Sequence, residues 1–288
     1  MNKGLKLLQL VQIHPLLWLV IAVSIATAHF LELSIMIAII FIHEMGHAAA
    51  AAFFSWRIKK IVLLPFGGVA EMDEHGNRPL KEEAIVVAAG PLQHVWMIGL
   101  AYVLYLSSFL PEPLFQLFFQ YNLMILFFNL FPIWPLDGGK MIFLLLSLKK
   151  SFSKAHRITL MISFLVLSLF SLFIAVSAPY HLNVWVVIGF LAFSLFHEWK
   201  QRRYVFIRFL LERYYGKKTG SYLLKPIQAD EGELIIHVLE RFQRGCKHPI
   251  IISSSDGEQA TLDENEVLHA YFSERRVSDK ISDIFFSY

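Results

Sequence analysis

Long apolar segments separated by short charged loops constrain the fold of this chain more than any other feature. In the segment from residue 33 to residue 54, the only ionisable side chains are His43, Glu44 and His47. At about 1.5 Å per residue, a helix of this length just crosses the hydrocarbon core of a bilayer. Hydrophobic residues make up 56% of the chain and charged residues 17%, with a mean hydropathy of +0.53. These values are typical of a polytopic membrane protein.

The apolar segments predict an α-helical polytopic membrane protein with about six transmembrane helices. We place the helices at residues 15–28, 33–54, 83–106, 114–131, 158–178 and 182–196. Between the second and third, residues 57–81 contain a β-like run followed by the pair Gly67 and Gly68. This pattern predicts a small β-hairpin or re-entrant element at the membrane surface.

The basic residues of the loops predict the orientation of the chain. They occur at the start of the chain, in residues 57–81, in residues 140–157 and after residue 199, whereas the alternate loops HFLEL, SSFLPEP and SAPYHLN contain no Lys or Arg. The positive-inside rule therefore predicts six spans with both termini in the cytosol. The net charge of +3 is explained by these loops, and we expect no nucleic-acid partner.

The composition changes to that of a soluble segment after residue 200. We therefore predict a membrane domain at residues 1–200, a linker helix and linker at 201–222, and a cytosolic α/β domain at 223–288. In the last of these, the order of elements is strand, helix (231–244), strand (249–253), turn, strand (259–262) and helix (263–275), with Asp263 and Glu266 forming a capping box. A domain of roughly 65 residues is small, so homo-oligomerisation through this tail, or packing against the membrane core, would help it fold.

The pattern H-E-x-x-H at residues 43–47 predicts a zinc site inside the second span. On a helix, His43 and His47 lie on one face, where both imidazoles reach the same metal ion. Glu44 lies beside them and has the role of handling the proton of a zinc-activated water. The alternative is a set of polar residues that hydrogen-bond neighbouring helices. The single cysteine, Cys246, excludes a thiolate-rich site, so the ligands are His and carboxylate.

A catalytic zinc needs a third protein ligand and one open position. Between Glu112 and Glu198 the only acidic residue is Asp137, in a broken segment at residues 129–140. Non-helical backbone at membrane depth must face protein or a wet cavity, which favours Asp137 as the ligand. Glu71 and Asp73 are the competing carboxylates, and capping of the following helix is the alternative role for Asp137.

Two motifs together resemble those of the site-2 protease family of intramembrane zinc metalloproteases. They are H-E-x-x-H at residues 43–47 and N-x-x-P-x-x-P-L-D-G at residues 129–138. The resemblance implies that His43, His47 and Asp137 bind zinc and that Glu44 is catalytic. It also implies that Asn129 and Pro135 contact the substrate. The family's A-G-P-x-x-N motif is replaced here by Ala-Gly-Pro followed by His94, which we interpret as a packed core histidine.

The resemblance extends to one member of the family from endospore-forming bacteria, which has six spans and a cytosolic tail. It implies a membrane-associated pro-sigma factor as substrate, inhibitory membrane proteins as partners, and a location in the bacterial inner membrane that surrounds the forespore. The tail resembles a single CBS domain, which implies ATP or another adenine nucleotide as a ligand. A plain docking domain is the alternative for the tail.

Two other classes of protein compete with a protease. A metal or ion transporter would use His43, His47 and Asp137 as an ion path, but it would not need Glu44 as a base and would show internal repeats. A nucleotide-sensing membrane scaffold with a degenerate site is disfavoured by the intact Glu44.

Overall fold

The structure is a computed structural model that describes residues 9–64, 67–72, 78–216, 223–253 and 259–285. The described chain divides into two compact units. The first comprises residues up to 74, 81–141 and 163–192, and the second comprises residues 75–80, 142–162 and 193–288. Each unit has its own core.

Seven helices precede the tail in the described part of the chain. They are α1 (Pro15–Ala26), α2 (Phe30–Phe53), α3 (Leu80–Leu106), α4 (Glu112–Asn129), α5 (Asp137–Ser147), α6 (Phe152–Ser177) and α7 (Leu182–Tyr215). Four of them, α2, α3, α6 and α7, are long and apolar enough to cross a membrane. This confirms a mostly helical protein with membrane-spanning helices. The full set of six spans also requires α1, of 12 residues, and α4, of 18 residues, and it stays a prediction.

Helix α7 is longer than the sequence pattern indicated. It is 34 residues long in total and passes without interruption through residue 200, where the composition becomes that of a soluble segment. The chain has no proline between residues 180 and 225, so nothing in the backbone ends the helix at the membrane boundary. The sixth apolar segment and the basic linker helix therefore form one continuous element.

A three-stranded sheet in the first unit contains the predicted hairpin. Strands β2 (Ile58–Leu64) and β3 (Gly67–Met72) are antiparallel, and β1 (Val11–Ile13) pairs parallel with β2. The hairpin is confirmed, whereas β1 was not predicted from its short segment. Leu63 belongs to a buried cluster that also contains residues of α1, α2, α3 and α4, so the hairpin packs into the helical core. The other buried members of that cluster are Leu17, Ile39, Ile40, Met97 and Ile125.

The chain is broken between α4 and α5, as its prolines and glycines predict. It doubles back so closely that a Cβ on Gly138 would strike the carbonyl oxygens of Leu130 and Phe131. The backbone N–H of Trp134 donates to the hydroxyl of Ser163 at 3.0 Å. Glycine permits this close approach, and the approach places Asp137 at the first residue of α5.

The tail lies in the second unit and contains the predicted strands and helices, together with two two-residue strands and a last helix that were not predicted. Its elements are β4 (Leu223–Leu224), β5 (Ile227–Asp230), α8 (Ile235–Leu239), β6 (Cys246–Lys247), β7 (Ile250–Ser253), β8 (Gln259–Leu262), α9 (Glu264–Phe272) and α10 (Ile281–Phe285). In one sheet β7 lies between β5, which is parallel to it, and β8, which is antiparallel. The predicted capping box at Asp263 and Glu266 is present.

The first tail helix is shorter than the predicted range of 231–244. Leu234 forms a β-bridge with Lys280 and has extended backbone angles, so the residues before it cannot continue α8. The predicted turn between the strands at 249–253 and 259–262 lies outside the described residues, as do residues 217–222 of the predicted linker.

Candidate metal centre

Helix α2 places His43 and His47 on one buried face. Their side chains are four residues apart, and their Nε2 atoms lie 3.1 Å from each other. Asp137 reaches them from the start of α5, and its Oδ2 lies 3.1 Å from each Nε2. All three residues are at most 5% exposed. Two imidazole nitrogens and one carboxylate oxygen therefore form a nearly equilateral triangle in the core of the first unit.

The dimensions of this triangle fit a zinc ion. Tetrahedral zinc with ligand distances of about 2.0–2.1 Å requires ligand atoms roughly 3.3 Å apart, close to the 3.1 Å separations observed here. An ion held by three such atoms keeps its fourth tetrahedral position open. Among the described residues, these are the ones whose His, Cys, Asp or Glu atoms converge in a group able to hold a metal.

Both histidines have a partner for the ring nitrogen that faces away from the triangle. His47 Nδ1 lies 2.8 Å from the carbonyl oxygen of Val86 in α3, which can only accept, so Nδ1–H is the donor. His43 Nδ1 lies 3.0 Å from His94 Nε2, also in α3. Hydrogen bonds of this kind orient the ring and select the tautomer with a free Nε2 lone pair.

Glu44 lies beside the triangle and against strand β3. A Cβ on Gly68 would come within 2.7 Å of the Glu44 Cδ atom and 2.8 Å of its Oε1. Glu44 itself is only 5% exposed. The absence of a side chain at residue 68 is therefore what gives the Glu44 carboxyl its space next to the sheet.

Lys140 distinguishes the two carboxylate oxygens of Asp137. Its Nζ lies 3.2 Å from Oδ1, whereas Oδ2 faces the two histidines. An ammonium group attracts the oxygen nearest to it, so Asp137 presents a single oxygen to the triangle.

Comparison with known proteins identifies the family. The sequence profile of "Peptidase family M50" matches residues 32–112 and 109–170. The stage IV sporulation protein FB of Bacillus subtilis is 49% identical over 288 residues, which is 100% of both chains. The chain belongs to peptidase family M50. It is therefore a zinc metalloprotease of the site-2 type, and the His-His-Asp cluster is consistent with Zn²⁺ as its metal.

A sequence match and a structure match in Methanocaldococcus jannaschii support this assignment. A zinc metalloprotease of Methanocaldococcus jannaschii is 38% identical over 122 residues, which is 41% of this chain and 34% of that protein. The solved structure of the site-2 protease from the same organism superposes with a TM-score of 0.53 at 29% identity. It covers 65% of this chain and 89% of that one. The predicted fold of the M50 membrane domain is thus shared with a solved protease.

The remaining residues that the sequence offered as substrate contacts or as rival ligands do not belong to the triangle. The side-chain amide of Asn129 donates to the carbonyl of Ile125 at 3.1 Å, within its own helix. Pro135 lies in the loop that precedes Asp137 and is partly buried. Glu71 pairs with Lys60 across the hairpin at 3.1 Å, and its side chain is 46% exposed. Asp73 lies outside the described residues.

Two further polar residues lie next to the candidate metal site, and the sequence did not predict the contacts that they make. His94 is fully buried, as predicted, but it contacts His43 rather than only packing in the core. Asn122 in α4 lies behind it, with Oδ1 at 2.6 Å from His94 Nδ1. Both are polar side chains within apolar segments, the same signal that singled out the second span. No spacing rule connects them to His43, because they belong to different helices.

Proposed function

We propose that this M50 metalloprotease hydrolyses a peptide bond of a membrane-associated protein within the bilayer. In this proposal His43, His47 and Asp137 hold zinc and Glu44 is the catalytic base. The observation that supports it most directly is the buried 3.1 Å triangle with the Glu44 carboxyl beside it. An ion path would have no use for that carboxyl, so the arrangement favours a protease over a transporter.

The reaction needs a base, a nucleophile and a polarised carbonyl. Zinc held by His43, His47 and Asp137 would supply a water of lowered pKa and would polarise the scissile carbonyl. Glu44 would accept the proton of the attacking water and would return it to the leaving amine. The Glu44 side chain is buried, so bulk water competes little for its carboxyl.

The substrate must be extended at the site, because a helix hides its carbonyls. Strand β3 is at the edge of the described sheet, and its Gly68 lies against Glu44. We infer that an unwound substrate segment pairs with this edge and so passes the catalytic carboxyl. Asn129, at the end of α4, and Pro135, in the loop before Asp137, are proposed to contact the same segment.

The substrate is proposed to be a membrane-associated pro-sigma factor, whose pro-sequence is removed. Identity of 49% along the whole chain with a sporulation protein supports this choice. In the same proposal, inhibitory membrane proteins hold the protease in check. The protein has six spans with both termini in the cytosol and lies in the bacterial inner membrane around the forespore.

We propose for the tail a CBS-like cytosolic domain at residues 223–288, joined by residues 201–222 to a membrane domain at 1–200. The strand, helix, strand, strand, helix order supports this. An adenine nucleotide is its proposed ligand, and pairing with a second copy is its proposed mode of assembly. The dissociation constant of the purified full-length protein for ATP tests this role against a docking role.

Replacing Glu44 with Gln tests the proposed function. The amide keeps the size of the side chain but cannot accept the proton, so cleavage of a co-expressed membrane-tethered pro-sigma factor should fall by about 10²–10⁴-fold. The zinc content of the purified variant should be unchanged. Glu32→Gln, the same change on the same helix, is the control and should cleave normally. Retained cleavage by Glu44→Gln would overturn the assignment.

A further inference from the structure

We propose that His94 and Asn122 are positioning residues that set the zinc affinity of the site by holding His43 in its metal-binding tautomer. The proposal rests on the proposed function, since it takes His43 to be a zinc ligand. It assigns a role to two residues that lie outside the triangle of His43, His47 and Asp137.

The hydrogen-bonded chain crosses three helices. His43 lies on α2, His94 on α3 and Asn122 on α4. His43 Nδ1 is 3.0 Å from His94 Nε2, and His94 Nδ1 is 2.6 Å from Asn122 Oδ1. His94 and Asn122 are both 0% exposed and His43 is 2% exposed. The chain is therefore shielded from water, which otherwise would offer each ring nitrogen a competing partner.

The direction of the hydrogen bonds follows from the amide at the far end. Asn122 presents its Oδ1, which can only accept, so His94 must carry its proton on Nδ1. His94 Nε2 is then a lone pair and accepts from Nδ1–H of His43. A neutral His43 with its proton on Nδ1 has its own lone pair on Nε2, the atom that lies 3.1 Å from both His47 Nε2 and Asp137 Oδ2.

The opposite arrangement blocks the metal. With the amide nitrogen towards His94, every donor in the chain would reverse, and His43 would carry its proton on Nε2, inside the triangle. Among the described residues Asn122 Nδ2 has no hydrogen-bond partner. An unpaired buried amide N–H costs free energy, so the amide nitrogen gives no reason for an Asn at this position. The reason is therefore the acceptor oxygen of the same side chain, which binds His94.

Zinc affinity of the purified full-length protein, measured by competition with a chelator, tests the proposal. His94→Leu and Asn122→Leu remove the hydrogen-bonding atoms, Asn122→Leu with a branched side chain of the same number of heavy atoms, and should each weaken zinc binding by about 10–100-fold. His94→Gln and Asn122→Asp restore an acceptor at the same place, and each should stay within about tenfold of the parent. Thermal unfolding of the metal-free proteins checks that every variant is folded.

The linear order of the chain gives a second test. Asn122 acts on the metal only through His94, so the double variant His94→Leu/Asn122→Leu should bind zinc as weakly as His94→Leu alone. Ser171→Ala, which removes a hydroxyl that donates to the carbonyl of Leu167 within α6, is the control and should bind zinc normally. Additive losses in the double variant, or Leu variants with parental affinity, would overturn the proposal.

Failure of this proposal is distinguishable from failure of the proposed function. If His43→Ala abolishes zinc binding while His94→Leu does not affect it, His43 is a ligand and only the positioning role is wrong. If His43→Ala keeps its zinc, the ligand set itself is wrong and the positioning role fails with it.

Discussion

At the scale of single residues, Asp137 shows how one carboxylate is directed to one task. A capping role would aim its oxygens at backbone N–H groups of the first turn, but the N–H of Lys140 donates instead to the carbonyl of Leu136. The Asp137 oxygens face the two histidines on one side and the Lys140 ammonium on the other. The geometry favours the ligand role over the capping role.

The Asp137→Asn variant tests this choice. The neutral amide is a much poorer zinc ligand, so zinc affinity should fall by more than about 100-fold, since losing a ligand's hydrogen-bond partner alone costs 10–100-fold. Cleavage should be lost with the metal. Measurement of zinc per protein after dialysis checks the first effect and a cleavage assay the second.

Glu71→Gln is the matched control, because Glu71 makes an exposed ion pair with Lys60. It should keep both zinc and activity. If Asp137→Asn instead has normal zinc content and activity, the ligand role returns to Glu71 or Asp73.

At the scale of elements, the site depends on how closely helix α3 approaches α2. A Cβ on Gly90 would strike the ring of His47 and come within 2.8 Å of Nε2 of His43. From the other side, a Cβ on Gly46 would lie 2.6 Å from the carbonyl oxygen of Ala89. Glycines at the crossing therefore permit the contact through which α3 offers the carbonyl of Val86 to His47.

Gly90→Ala should disrupt the metal site without unfolding the helix. The added methyl group needs the space of the His47 ring. We therefore expect zinc affinity and cleavage to fall at least about tenfold, the smallest loss typical of mutations that disturb the orientation of a metal ligand. Gly99→Ala in the same helix is the control, because nothing lies within 4 Å of its Cβ position. Equal zinc contents in the two variants, measured by metal analysis, would contradict this account.

At the scale of the whole molecule, the second unit joins membrane helices to the tail by specific bonds. Arg213, near the end of α7, binds the carboxylate of Glu264 and the carbonyls of Gln243 and Cys246. The amide of Gln243 donates to the carbonyl of Leu148, just after α5, at 2.8 Å. The tail is therefore held to the helical part of its unit through buried polar contacts, which are costly to leave unpaired.

Arg213→Met should loosen the tail. The change leaves Glu264, whose side chain is 6% exposed, without its charged partner, and breaking such a pair costs about 3–5 kcal/mol. Limited proteolysis of the full-length protein should then cut the tail at lower protease concentration. Arg203→Met, at an exposed position of the same helix, should leave the cleavage pattern unchanged. A protease-resistant tail in Arg213→Met would contradict this interpretation.

Local patterns predicted much of this molecule because their physical causes are local. Helical periodicity alone places His43 and His47 on one face, and apolar length alone predicts the spans that contain them. The break before Asp137 follows from its prolines and glycines, and the capping box at Asp263 from residues three apart. For the third ligand, the sequence favoured Asp137 but left two other carboxylates as alternatives, because the distance of each from the histidines depends on the fold.

The contacts that join distant segments depend on how the chain folds and could not be predicted from local patterns. Strand β1 is three residues long, and its pairing with β2 has no signature in those residues. The chain from His43 through His94 to Asn122 needs three helices to pack in one particular rotation, which hydrophobicity does not specify in helices that are apolar on most faces. The membrane class and the chemistry of the H-E-x-x-H motif therefore follow from local sequence alone. Packing of α3, α4 and α5 around α2 decided which polar groups surround it.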